Sequence, residues 1–248
     1  MPNQLSIDSR RIVVNLLFIV ALLLLASVAG QFVRFQFGYD SVKGLVQLFN
    51  VDNELNVPTF FSSLLALSSA ALLFLTASAA RSKGHPDTKY WFALAAGFLF
   101  LAYDETFQVH EGMIEPMRAM LGGGELGIFY FSWVVPGIAG VCVLALVFMR
   151  FFLRLPRRTR DSFLLAVGIY LSGCLGMELL DGAYFESYGN DFTYALLVTI
   201  EEGLEMCGLI MFVRTFLNHL AGDVRLIAFG QAESALPAFA MQAANARP

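Results

Sequence analysis

Apolar residues run along this chain in long blocks rather than in alternation. A helix needs about 20 mostly apolar residues to cross the hydrocarbon core of a bilayer. Six blocks reach that length, at roughly 12–30, 58–80, 90–111, 128–152, 162–182 and 193–216. Pro58-Thr59 opens the second block, where proline suits a first helical turn. The pattern predicts an all-α polytopic bundle of six transmembrane helices, forming a single domain over 1–220 with a mobile cytoplasmic tail over 221–248. Arg10 and Arg11 precede the first block and Ser27-Val28-Ala29 near its end resembles a cleavage site. Its run of about 19 apolar residues is longer than a signal-peptide core, so it is read as a retained span.

The connection 31–57 is the longest between spans. Val42, Leu45, Val46 and Phe49 recur at helical spacing there, which predicts a short amphipathic helix on the outer surface, either a plain loop helix or a lid.

Composition agrees with the spans. Of the 248 residues, 57% are hydrophobic and 15% charged, and the mean hydropathy is +0.65. Soluble domains carry about a quarter charged residues. The formal net charge of −4 gives no footprint for nucleic acid. Three cysteines, one per span, make no disulfide framework and no CxxC pair.

Lysine and arginine set the orientation. Thirteen of the 16 fall at the N-terminus, in the second and fourth connections, or after the sixth span. Arg34, Lys43 and Arg118 alone fall on the other side. Positive charge marks the cytoplasm, so both termini are expected there, in a bacterial inner membrane. Tyr90, Trp91, Tyr130, Trp133, Tyr184, Tyr188 and Tyr194 sit where the interfaces should be, as membrane anchors.

Two motif matches fail on context. Residues 122–127 read Gly-Gly-Gly-Glu-Leu-Gly but follow a membrane helix, not a strand, so they mark a turn and not a dinucleotide site. His110-Glu111 lacks the second histidine of a zinc protease helix. Gly168, Ser172 and Gly176, four apart on span five, predict a small-residue face for close helix contact.

The informative chemistry is acidic. Ionisable groups inside spans are costly and mark function by default. Span three holds Asp104, Glu105, His110 and Glu111, span five Glu178 and Asp181, and span six Glu201, Glu202 and Glu205. At 100° per residue Asp104 and Glu111 share a face, with Tyr103, Phe107 and His110 beside them, while Glu105 points away. Glu178 and Asp181 align with Cys174, and Glu201, Glu202 and Glu205 fit one face. Counting 1.5 Å per residue, Asp104 and Glu178 lie roughly 20 and 24 Å above the inner face, and Glu201 and Glu205 roughly 12 and 18 Å below the outer one. The acids thus form a layer in the outer half of the bilayer.

Such a layer is stable only if some acids keep their protons or a cation joins them. Oxygen ligands with one imidazole suit a hard divalent ion, Fe or Mn above a thiolate-bound metal. The expected ligands come from Asp104, His110, Glu111, Glu178, Asp181, Glu201, Glu202 and Glu205. Paired acids on facing helices resemble the di-metal carboxylate bundles in architecture alone, because their Glu-x-x-His pairs are missing. Leu101–Glu111 (LAYDETFQVHE) and Thr199–Gly208 (TIEEGLEMCG) also resemble a group of uncharacterised bacterial multi-spanning membrane proteins, a resemblance that implies no activity. The functions that fit are a metal-dependent membrane enzyme acting on an apolar substrate, a proton- or cation-coupled carrier, or an accessory subunit. Lipid is the expected surrounding, with a complex partner or a second copy open. The metal reading is preferred, because the chain lacks an internal repeat and inner-half acids to complete a transport path.

Overall fold

A computed structural model describes residues 8–224. They form nine α-helices, and no strand occurs among them. The long helices are α1 (Ser9–Phe37), α3 (Val57–Ser82), α4 (Thr88–Phe107), α6 (Val134–Arg154), α7 (Arg157–Leu171) and α9 (Phe192–Val224). The short ones are α2 (Leu45–Phe49), α5 (Ile114–Met120) and α8 (Glu178–Tyr188). A π-helical turn, Ser172–Met177, joins α7 to α8, so that Arg157–Tyr188 is one rod. α9 continues through 221–224; the rest of the expected tail lies outside the described residues.

Four helices are long and apolar enough to cross a membrane: Ser9–Phe37, Val57–Ser82, Val134–Arg154 and Arg157–Tyr188. α4 and α9 have the length of a span, at 20 and 33 residues, but carry acids. The outer surface is apolar along the bundle: Phe18, Leu25, Phe74, Phe100, Leu146 and Leu153 are all exposed. A soluble domain does not tolerate such a belt, whereas lipid requires it.

Local chemistry explains the helix ends. Asp8 caps α1 by accepting from the Arg10 and Arg11 amides, and Gly38 closes it in the left-handed region (φ 71°). Asn56 caps α3 through the Thr59 amide at 3.1 Å, with Pro58 in the first turn. α4 stops at Phe107, because Gln108 turns left-handed (φ 53°) and donates its amide to the Asp104 carbonyl. The expected amphipathic helix shrinks to α2. Val42 and Lys43 have positive φ (43° and 58°), so the helix starts only at Leu45, and of the four apolar positions only Val46 is buried.

α9 is the axis of the bundle, contacted by α1, α3, α7 and the π turn. Its inner faces are buried accordingly: Val198, Met206, Ile210, Phe212 and Phe216 are core residues. One end of the bundle is packed dry by aromatic rings. Phe98 meets Phe212 at 4.8 Å, Phe163 meets Phe212 at 5.3 Å, and Trp91 meets Phe151 at 5.0 Å. Further along α4 and α9 the rings give way to acids.

The close contacts of the fifth span are not those expected. Nothing lies within 4 Å of a Cβ built on Gly168, Ser172 is exposed, and Gly176 meets nothing nearer than 3.8 Å. The π turn shifts the helical phase, and Gly173 instead abuts α9. A Cβ on Gly173 would stand 2.8 Å from the Glu201 carbonyl oxygen and 2.8 Å from Glu205 Cγ. Two substitutions separate these positions. Gly173→Ala is expected to destabilise by about 1–3 kcal/mol, because backbone must move. Gly168→Ala is expected to be neutral or stabilising by up to about 1 kcal/mol. Thermal unfolding of the two variants in detergent measures the contrast, and equal effects would contradict the assigned packing.

Candidate functional site

Beyond the aromatic end, the helices enclose a cavity of about 360 Å³. The acids on its wall are Asp104, Glu105, Glu111 and Glu178 with Glu201, Glu202 and Glu205 of α9, joined by Asp52 and Glu54. His110 is the imidazole on the wall, and among the described residues no lysine or arginine lines the cavity. Leu101, Val141, Leu171 and Leu175 add apolar surface to the lining. α1 contributes no lining residue, although its Leu24 Cδ1 stands 3.0 Å from a Cβ built on Gly203 of α9.

The connection 38–56 reaches the cavity because it is tied down on two sides. The Gln31 side-chain amide donates to Asn50 Oδ1, and the Val51 amide donates to Ser27 Oγ at 3.1 Å, fastening the connection to α1. Asn56 Nδ2 donates to the Asn50 and Asn53 carbonyls at 2.6 and 2.7 Å, fastening it to the start of α3. These bonds leave Val51, Asp52 and Glu54 facing the cavity as its cover. Tyr194 donates its hydroxyl to Asp52 at 3.4 Å.

Ending α4 at Phe107 changes the expected geometry of the third span. Asp104 and Glu111 do not share a helical face. The chain instead folds back so that Asp104 holds His110 twice, accepting the His110 amide at 2.9 Å and facing its Nδ1 at 3.0 Å. That leaves Nε2 as the ring nitrogen free to serve the cavity. Glu111 stands in a short 3₁₀ turn and is exposed. Tyr103 and Phe107, expected on the acidic stripe, point outward at 53% and 62% exposure.

Trp133 closes a second side. Its indole N–H donates to Glu178 at 2.7 Å, and its ring lies 4.7 Å from that of His110. Tryptophan, histidine and two carboxylates from α4, α8 and the segment before α6 are thereby locked together.

The acids of α9 face acids from several elements. Glu202 has Glu105, Glu205 and Glu54 among its charged neighbours, and Glu205 has Glu178 as well. Glu201 faces Glu178 and Asp181 at hydrogen-bonding range. Asp181 is not on the cavity wall. It is fully buried behind Glu201, and no N–H or O–H group reaches either carboxylate oxygen. Two ionised carboxylates are both acceptors, so this contact needs a shared proton or a cation.

The structure thus brings seven of the eight expected residues to one wall and sets Asp181 behind it. Glu105, expected to point away, lines the cavity. Asp52 and Glu54 were not anticipated; their signal was only that two acids flank Asn53 in a connection too long for a simple turn. Among the described residues no three His, Cys, Asp or Glu side chains stand together at metal-ligand spacing. The acids surround a space rather than converge on a point.

A helical bundle whose exposed surface is apolar and whose cavity is acidic defines the class: a membrane protein with a polar site among its helices. The chain belongs to the family described as a domain of unknown function (DUF8692), which matches residues 16–220 and so runs from within α1 to within α9. No curated protein and no solved structure matches it.

Asp52 and Glu54 lie outside the long helices and report on the cavity. Burial raises Glu54 to about 7, and the charge of Glu111 pushes it in the same direction. A carboxyl raised in this way binds its proton more tightly when folded than when unfolded. Folding stability is therefore unaffected below the ordinary carboxylate value and falls as pH rises through the folded one. Glu54→Gln removes the ionisation. The variant is expected to be more stable than wild type at about pH 8 and to lose that advantage at about pH 4.5. Thermal unfolding at the two pH values checks this, and an unchanged difference between variant and wild type would contradict it.

Proposed function

We propose that this chain is a six-span protein of the bacterial inner membrane with both termini cytoplasmic, and that its cavity binds a hard divalent cation, Fe or Mn, for chemistry on an apolar substrate. The supporting observation is the cavity wall: among the described residues, nine carboxylates and one imidazole without a lysine or arginine. Two unit charges 4 Å apart repel by about 4 kcal/mol at an effective dielectric of 20. A wall of this composition is a sink for positive charge.

In this reading α4 and α9 are the two spans that acids disguise, and they cross the bilayer because protein surrounds their acidic faces. The Lys and Arg bias sets the aromatic end toward the cytoplasm and the cavity toward the outer half. His110 Nε2 supplies the nitrogen ligand, and Asp104 orients the ring from behind instead of binding the ion. Glu105, Glu178, Glu201, Glu202 and Glu205 supply oxygens. Without an ion these like charges stay apart, which agrees with the open spacing. A cation draws in the long glutamate side chains. The apolar surface of Leu101, Val141, Leu171 and Leu175 would then hold the apolar part of a substrate beside the ion.

Manganese is the practical probe, since its spin resonance signal distinguishes free from bound ion. Purified protein at neutral pH is expected to bind Mn²⁺, and Glu205→Gln to weaken binding about tenfold or more. Glu125→Gln, distant from the cavity lining, is the control and should bind as wild type. Wild-type protein that binds neither Mn²⁺ nor Fe²⁺, Zn²⁺ or Ca²⁺ after reconstitution would overturn the proposal.

A further inference from the structure

A second cleft, of about 730 Å³, lies at the aromatic end of the bundle between the start of α7 and the last turns of α9. Its chemistry is the reverse of the acidic cavity. Arg158 stands on the first turn of α7, and Arg214 and His219 stand on α9. Hydroxyls from Thr159 and Ser162 and the amide of Asn218 lie between them. Among the described residues one acid, Asp161, shares the cleft, and it is engaged by Arg160 at 3.4 Å.

We propose that this cleft binds a phosphate-bearing anion, either a phospholipid headgroup or free phosphate. Three observations converge. Arg158 and Arg214 come from different helices to one cleft, and neither has an ion-pair partner among the described residues. Two guanidinium groups at one cleft are stabilised by an anion that accepts from both, and the guanidinium fork matches two phosphate oxygens at once. His219 is held in place, its Nδ1 3.2 Å from Thr159 Oγ1 and its ring stacked 4.7 Å from Trp91. That pairing connects the cleft floor to the aromatic core, so the site is built on rigid helices. Finally, the start of α7 has no side-chain cap and no acid in its first turn, which leaves its positive end facing the same space. Thr215 is not available, because its hydroxyl is already given to the Met211 carbonyl at 2.7 Å.

Position fits the headgroup source. The cleft lies where exposed apolar helix surface ends and basic residues begin: Leu153, Leu164 and Leu165 are exposed to one side and Arg157 and Arg158 to the other. Basic pockets between membrane helices at this level bind anionic headgroups. The inference stands independently of the cation reading, since no residue is shared between the two cavities.

The test uses full-length protein in detergent and the double variant Arg158→Gln/Arg214→Gln. Both positions are exposed, so the fold should survive the change. Thermal unfolding is followed with inorganic phosphate, with short-chain phosphatidylglycerol, and with an uncharged detergent-like glyceride of equal chain length. Stabilisation of wild type by phosphatidylglycerol alone supports the headgroup source, and stabilisation by inorganic phosphate as well supports free phosphate. In either case the double variant is expected to weaken the apparent affinity about tenfold or more. The charge-conserving pair Arg158→Lys/Arg214→Lys should restore part of it, which a purely structural role of the two side chains would not require. No shift with either phosphate probe would overturn the proposal, and so would equal shifts in wild type and double variant or a shift that the uncharged glyceride reproduces.

Discussion

Like charge in a confined space governs this molecule. Among the described residues nine carboxylates face a cavity of about 360 Å³, and the only basic side chain on its wall is an imidazole. Much of the rest follows from keeping that arrangement away from lipid. α9 carries three of the acids and is covered by α1, α3, α7 and the π turn. Gly173 lets the π turn approach within van der Waals limits of the Glu201–Glu205 stretch, where any larger residue would force the helices apart. The connection 38–56 is fastened to α1 and α3 by a net of asparagine, glutamine and serine bonds, and it closes the cavity from the other side.

The division of labour along the bundle is equally physical. At one end phenylalanine and tryptophan rings fill the space between the helices. At the other, charged and hydrogen-bonding groups hold each other: Asp104 fixes His110, Trp133 fixes Glu178, and Tyr194 reaches Asp52. A cleft lined by Arg158, Arg214 and His219 lies at the rim of the dry end. A single chain thus presents two polar sites of opposite sign, separated by an aromatic core.

Hydrophobic blocks and the cost of buried charge were enough to read helices from the sequence and to expect the acids of three of them at one place. Glu178, Glu201, Glu202 and Glu205 do face one cavity. Helical phase was less reliable wherever the helix departs from 3.6 residues per turn. The left-handed Gln108 ends α4 before His110, so the seven-residue step from Asp104 to Glu111 carries no shared face. The π turn moves the close contact from Gly168 and Gly176 to Gly173. Glu105 was set aside because it lies about 100° from Asp104, but a cavity has walls on several sides and accepts both. Asp52 and Glu54 lie in irregular backbone, where spacing holds no directional information, and only the tertiary bonds of Asn50 and Asn56 reveal where they point.

The central claim is that positive charge, as protons or as a cation, holds these carboxylates together, and that the two are exchangeable. Infrared absorption of the carboxyl groups, recorded at neutral pH while Mn²⁺ is added to ion-free protein, tests it most directly. The account predicts a protonated carboxyl band in the ion-free protein that diminishes as Mn²⁺ binds, with protons released to the medium in proportion. A protein whose carboxyls are all ionised without any cation, or whose carboxyl spectrum is indifferent to Mn²⁺, would contradict it.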